Sequence, residues 1–167
     1  GALSYWAGGD YESWWGSIYA THFLIEARKA GFDVNANTIK RLLQYMKARL
    51  QKREMETWYY NENQQREIVA RESIYSLYVL ALAGEADITT MNYYKANSKQ
   101  MSNDSKYLLA AAYGLSGQAT TAREFLPKEF GNEKSNNATG GNFYSYIRDL
   151  AVALNAMLDI DPTNAQV

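Results

Sequence analysis

The chain has no cysteine, two prolines and one histidine, and its 17 basic residues are nearly balanced by 18 acidic ones. Each scarcity narrows the field. Without cysteine there is no disulfide and no thiolate zinc site, although the absence assigns no compartment. A formal net charge of −1 gives no global field that would draw the chain to nucleic acid or to an anionic membrane, so neither is expected as a partner. Apolar runs are too short for a membrane span, and the N-terminus lacks a basic region followed by an apolar one, so direct membrane insertion by this segment is not expected. What is present is a 167-residue chain with 47% hydrophobic residues and 14 tyrosines. That length and apolar content suit one folded domain with a substantial core.

The clearest local signals lie at the front. Tyr5, Trp6, Ala7, Gly8 and Gly9 form an aromatic, glycine-bearing loop that leads into Asp10, Glu12 and Ser13. Ser13 can accept from a first-turn amide, the acids suit the positive helix end, and Gly31 can take a left-handed cap. A helix is expected over Trp14 to Ala30. Its apolar residues, Trp14, Trp15, Ile18, Tyr19, Ala20, Phe23, Leu24, Ile25 and Ala27, are spread around the axis, which predicts an inner helix enclosed by neighbours, with Trp15 and Phe23 in the core.

Further along, Asn35 or Asn37 caps a second helix with a single apolar stripe (Ile39, Leu42, Leu43, Met46, Leu50). Its other side carries Lys40, Arg41, Lys47, Arg49, Lys52 and Arg53. Such a face reads either as a phosphate-binding helix or as a solvated outer face, and the balanced overall charge favours the solvated one. Glu54 to Asn63 reads as an aromatic, polar connection, and a third helix is expected from about Gln64 to Ala83 with Glu67 and Arg71 paired one turn apart. Asp87 caps a shorter outer helix through Met91, Tyr93 and Tyr94. Asn103 or Asp104 opens an inner helix bearing Tyr107, Leu108, Ala111, Ala112 and Leu115.

A short helix follows over Ala119 to Leu126, stopped before Pro127, and Lys128 to Asn142 reads as the longest loop. Phe143 to Leu158 is expected as a helix with Ile147, Leu150, Ala151, Leu154 and Leu158 on one face, and Asp161-Pro162 reads as the start of another. Gly31, Gly84 and Gly117 each end an apolar helix and lead into a more polar one, at unequal spacing. Inner and outer helices therefore alternate, and the irregular repeat suits a toroid better than a tetratricopeptide solenoid. The fold class expected is all-α, with antiparallel helical hairpins forming part of an α/α toroid, a single partial domain over residues 1–167.

The same front segment carries a family resemblance. Tyr5-Trp6-Ala7-Gly8-Gly9, then Ser13-Trp14-Trp15 and Tyr19-Ala20-Thr21-His22-Phe23-Leu24-Ile25-Glu26-Ala27, resembles the YWPGG and YATHFLLEA run of bacterial alpha-2-macroglobulin-like proteins. The likeness is close from Tyr5 to Val34 and architectural beyond. Ala7 stands where the family usually has proline, which loosens the loop without contradicting the fold. The resemblance implies the later part of a thioester domain, an α/α toroid, within a larger periplasmic or cell-envelope protein that traps proteases. Proteases and the other domains of that protein are the partners it implies. The family's thioester joins the cysteine and the glutamine of a Cys-x-Glu-Gln motif, which nothing in this chain supplies; either the motif lies upstream or the lineage has lost it.

Candidate chemistry is sparse. His22 and Glu26 lie one turn apart and read as a metal pair, as an acid/base pair, or as a buried histidine satisfied by Glu26. A metal would need further ligands, and no second histidine or cysteine supplies one, so the satisfied histidine is preferred and no cofactor is expected. The family's thioester-assisting histidine belongs to a different motif, so that role is not carried to His22. Asp10 and Glu12 beside Tyr5, Trp6, Tyr11, Trp14 and Trp15 suggest a glycan site, since glycoside cleavage needs two carboxylates and aromatic platforms. Acids at a helix start and tryptophan in a core explain the same residues structurally. The expectation is a non-enzymatic helical domain of a protease-trapping protein. The alternatives are a glycan-active or glycan-binding toroid and a tetratricopeptide-like interaction module. Asn103-Asp104-Ser105 and Asn137-Ala138-Thr139 match a glycosylation pattern too short to carry weight.

Overall fold

Ser13 opens the first helix as its position demands. Its Oγ accepts from the Gly16 amide at 3.0 Å, and α1 runs over Trp14–Lys29. Gly31 then takes φ +90°, and the Phe32 amide reaches back to the Ala27 carbonyl, a helix ending that a side chain at Gly31 would strain. The computed structural model describes residues 1–61, 63–127 and 146–163. Within them α1 is followed by α2 (Ala36–Leu50), β1 (Met55–Asn61), β2 (Gln64–Val69), α3 (Arg71–Leu82), α4 (Ile88–Ala96), α5 (Asn103–Leu115), α6 (Ala119–Phe125) and α7 (Tyr146–Ile160). Asn35 caps α2 by accepting from the Asn37 and Thr38 amides, and Asp87 caps α4 by accepting from Thr90.

The chain is mostly helical, and its helices alternate as the repeated glycine stops imply. Helices α1, α3, α5 and α7 form a row in which each packs on the next. On the outside, α2 covers α1 and α3, α4 touches α5, and α6 covers α5 and α7. The middle of the row is the driest: Ile74, Leu77, Val79 and Leu80 of α3 and Leu109 to Tyr113 of α5 are fully or almost fully buried. On α2 the buried set is Ile39, Leu42, Leu43, Met46 and Leu50, the stripe read from its spacing. Lys40, Arg41, Lys47, Lys52 and Arg53 face water as expected, but Arg49 does not, its side chain being only 18% exposed.

Three expectations are corrected. The stretch read as a connection plus the start of a helix is an antiparallel hairpin, with Met55 opposite Val69 and Trp58 opposite Arg66, so α3 begins at Arg71 rather than near Gln64. Aromatic and β-branched residues at Thr57, Trp58, Tyr59, Ile68 and Val69 suit extended backbone, and Trp58, Ile68 and Val69 gain burial there. The hairpin also redistributes the charges. Thr57 Oγ1 donates to Glu67 across the strands at 2.6 Å, and Arg71 Nε pairs with Glu56 at 2.9 Å instead of with Glu67.

The second correction is to α1, which is not enclosed all round. Trp14, Ser17, Ile18, Thr21 and Ile25 form its buried stripe, whereas Phe23 is 65% exposed. Two small hydroxyls can share that stripe with Trp14, Ile18 and Ile25 because each is satisfied within the helix: Ser17 Oγ donates to the Ser13 carbonyl at 2.7 Å and Thr21 Oγ1 to the Ser17 carbonyl at 2.6 Å.

The third concerns α7, which buries Asp149, Ala153, Ala156 and Met157 and leaves Ile147, Leu154 and Leu158 exposed. Close approach selects this rotation. Ala110, Ala111 and Ala112 of α5 are fully buried, and a Cβ added at Gly114 would meet Ile160 Cγ1 at 3.3 Å. Asp161 Oδ1 accepts from the Thr163 amide at 3.2 Å, and the helix expected to start there lies outside the described residues. The expected loop over Lys128 to Asn142, the Asn137 motif and a helix start at Phe143 lie outside the described residues.

Candidate functional site

Row packing brings the starts of four helices together. Trp15 of α1, Arg71 and Glu72 of α3, Asp104 of α5 and Arg148 of α7 line a cavity of about 380 Å³, with Tyr19, His22, Tyr75, Tyr78, Leu108, Ala151, Val152 and Asn155 from later turns of the same helices. First-turn acids are favoured at these positions because each meets the positive end of its own helix.

One wall is aromatic. The Trp15 and Tyr19 rings stack at 5.1 Å with 9° between planes. Opposite in the chain, Tyr75 and Tyr78 lie 6.5 Å apart, and the His22 ring stands edge-on to both, at 5.9 and 5.5 Å. His22 Nδ1 lies 2.9 Å from the Tyr75 hydroxyl. Glu26 is therefore not the partner that satisfies His22; it pairs with Lys29 at 2.9 Å, the nearest cation on its own helix face. Burial lowers the His22 pKa from its ordinary value, outweighing the pull of Glu26, so the ring is neutral at physiological pH. Tyr78 donates to Asp159 Oδ2 at 3.0 Å and accepts from Asn155 Nδ2 at 3.1 Å. Burial pushes both tyrosine hydroxyls upward, so they act as hydrogen-bonding groups and not as bases.

The other end is charged. Arg71 is 7% exposed, bonds Glu56, and lies 4.9 Å over the Trp58 ring. Arg148 is shared between two buried acids, 3.8 Å from Asp104 Oδ2 and 3.5 Å from Asp149 Oδ1. Burial, and then the neighbouring Asp104 charge, push the Asp149 carboxyl up to about 6. Burial and then Glu56 also raise the Glu72 carboxyl. No cluster of three or more His, Cys, Asp or Glu among the described residues could hold a metal ion.

Of the residues singled out from sequence, the cavity takes His22 and Trp15. Tyr5, Trp6 and Tyr11 stand exposed on the leading loop, and Asp10 is exposed beside them. Glu12 accepts from Arg49 at 2.6 Å and from Tyr45 at 3.1 Å, which fastens the loop to α2. Trp14 is core: its Nε1 donates to Ser76 Oγ at 3.3 Å, with the Arg49 guanidinium 4.4 Å over its ring. Sequence reasoning places Arg71 in a helical charge pair and Asp104 at a helix start, but marks none of Arg71, Glu72, Tyr75, Tyr78, Asp104 and Arg148 as a site residue. A usable signal existed in the charged doublets Arg71-Glu72 and Arg148-Asp149, each opening an apolar helix.

No protein-family model and no curated protein sequence matches the chain. Solved structures do. The chain has the fold of a segment of bacterial alpha-2-macroglobulin. A Salmonella alpha-2-macroglobulin mutant superposes with TM-score 0.75 at 21% identity over 93% of this chain and 10% of that one. The Salmonella protein reacted with methylamine gives 0.74 at 21% over the same shares. Trypsin-activated E. coli alpha-2-macroglobulin gives 0.73 at 20%, over 99% of this chain and 11% of that one. The chain thus spans about a tenth of the length of these proteins, and the likeness read at Tyr5 to Val34 extends in structure over nearly all of it.

Proposed function

We propose that this chain is part of the α/α toroid of an alpha-2-macroglobulin-like protein that inhibits endopeptidases by trapping them. The observation that carries this reading is the superposition of nearly the whole chain on a segment of bacterial alpha-2-macroglobulin, together with the front run that resembles the family's own. The row of inner helices backed by outer ones supports the toroid, since continuing the same alternation would close a ring. In this reading the chain supplies shape and contacts and performs no catalysis of its own. With no cysteine it cannot form a thioester within itself. Cleavage elsewhere would trigger rearrangement, and the partners are the attacking peptidase and the other domains of the same protein. A periplasmic or cell-envelope location follows from the family resemblance; among the described residues no helix is long and apolar enough to cross a membrane.

The test uses the longer protein that carries this chain. Mixed with an active endopeptidase, it should leave cleavage of small peptide substrates intact while blocking digestion of large proteins. Unimpeded digestion of large proteins would reject the trap.

A further inference from the structure

We propose that the cavity between α1, α3, α5 and α7 binds a small organic cation, an alkyl- or aryl-ammonium group, with its charge at Glu72 and its apolar body against Tyr75, Tyr78 and Leu108. The cavity sets a carboxylate inside a largely apolar, aromatic wall. Both arginines at the cavity are already engaged: Arg71 holds Glu56 at 2.9 Å and covers Trp58, and Arg148 is divided between Asp104 and Asp149. Glu72 makes no salt bridge among the described residues; Arg71 and Arg148 attract it only at longer range, and burial and then Glu56 outweigh that attraction and disfavour its charge where it lines the cavity. Its own helix start offsets that cost only in part, because the effect of a helix end is a fraction of a unit charge.

A cation entering the cavity would restore the balance, and the aromatic wall suits it a second time. The faces of tyrosine rings carry negative potential, and ammonium recognition by aromatic side chains exploits that potential most strongly away from water. His22 does not oppose it, because burial keeps the ring neutral and its Nδ1 is turned to Tyr75. A metal ion fits poorly, since the described residues offer no three-ligand cluster. A volume of about 380 Å³ is in the range of small-molecule sites and accommodates a single ring with a substituted ammonium group.

The test is calorimetry on the 167-residue chain with three probes of similar size: benzyltrimethylammonium, benzyl alcohol and phenylacetate. The ammonium should bind and the other two should bind at least about tenfold more weakly, as one lost charge contact in a sheltered site implies. Glu72→Gln should weaken the ammonium by a similar factor. Ala151→Trp, at an exposed position on the cavity rim, should block it while leaving the circular dichroism spectrum unchanged. Equal binding of the alcohol, preference for phenylacetate, no heat from any probe, or full ammonium affinity in Ala151→Trp would each overturn the proposal. None of these outcomes bears on protease trapping.

Discussion

Arg49 Nη1 lies 2.6 Å from Glu12 Oε1 while Nη2 of the same guanidinium lies 2.6 Å from Glu54, so one side chain of α2 ties the leading loop to the entrance of the hairpin. It also covers the Trp14 ring at 4.4 Å. Three contacts on one partly buried cation set it apart from its basic neighbours. Arg49→Ala should cost about 2 kcal/mol in urea unfolding, because two carboxylates lose a charge-assisted partner. Lys47→Ala removes only an exposed pair with Glu85 and should cost no more than about 0.5 kcal/mol. Equal midpoints for the two variants would show that Arg49 is a surface charge after all.

A second expectation separates the two sides of α1. Trp14 is buried against α3 and Phe23 projects into water. Trp14→Ala should lose about 3 to 5 kcal/mol. Phe23→Ala should lose less than about 1 kcal/mol, since a mostly exposed side chain leaves no cavity when removed. Thermal or denaturant unfolding reads both, and the reverse ranking would contradict the rotation of the helix.

Two groups beside the cavity act oppositely on stability as pH changes. His22 has its folded pKa lowered by burial below the ordinary 6.5, so the unfolded chain binds its proton first and the fold loses stability as pH falls through that value. Asp149 has its pKa raised from 3.8 to about 6, so the folded form holds the proton and gains stability as pH falls through about 6 toward 3.8. Urea midpoints followed downward from neutral pH should therefore fall less for His22→Gln than for the parent. For Asp149→Asn they should fall more steeply below about 6. A His22→Gln profile parallel to the parent would mean that the imidazole is not desolvated.

Helix endings supply a local test. Gly84 sits at φ +78° after α3, with open space where a Cβ would project, so Gly84→Ala meets backbone strain and not a clash. The cost should be about 1 kcal/mol. Hydrogen exchange should show faster opening of the last turn of α3, and unchanged protection there would argue against the left-handed ending.

Helix starts and stops were legible in the chain because they depend on chemistry within a few residues. Ser13, Asn35 and Asp87 cap through their own side chains, and Gly31, Gly84 and Gly117 stop helices through backbone freedom that needs no distant partner. The alternation of inner and outer helices and the α2 stripe follow from the same short-range pattern. Tertiary contacts decided the rest. Gln64 to Val69 has a helical-looking charge spacing, but its pairing with Met55 to Asn61 wins because strand partners complete its backbone hydrogen bonds and bury Trp58, Ile68 and Val69. The rotation of α1 and α7 was likewise not local: Ser17, Thr21, Ala153 and Ala156 are buried while the larger Phe23, Leu154 and Leu158 are left exposed, a choice made by the neighbouring helices and not by the spacing within each helix. The cavity lay furthest from view, since Trp15, Glu72, Asp104 and Arg148 belong to four helices and meet only because those helices pack side by side in a row.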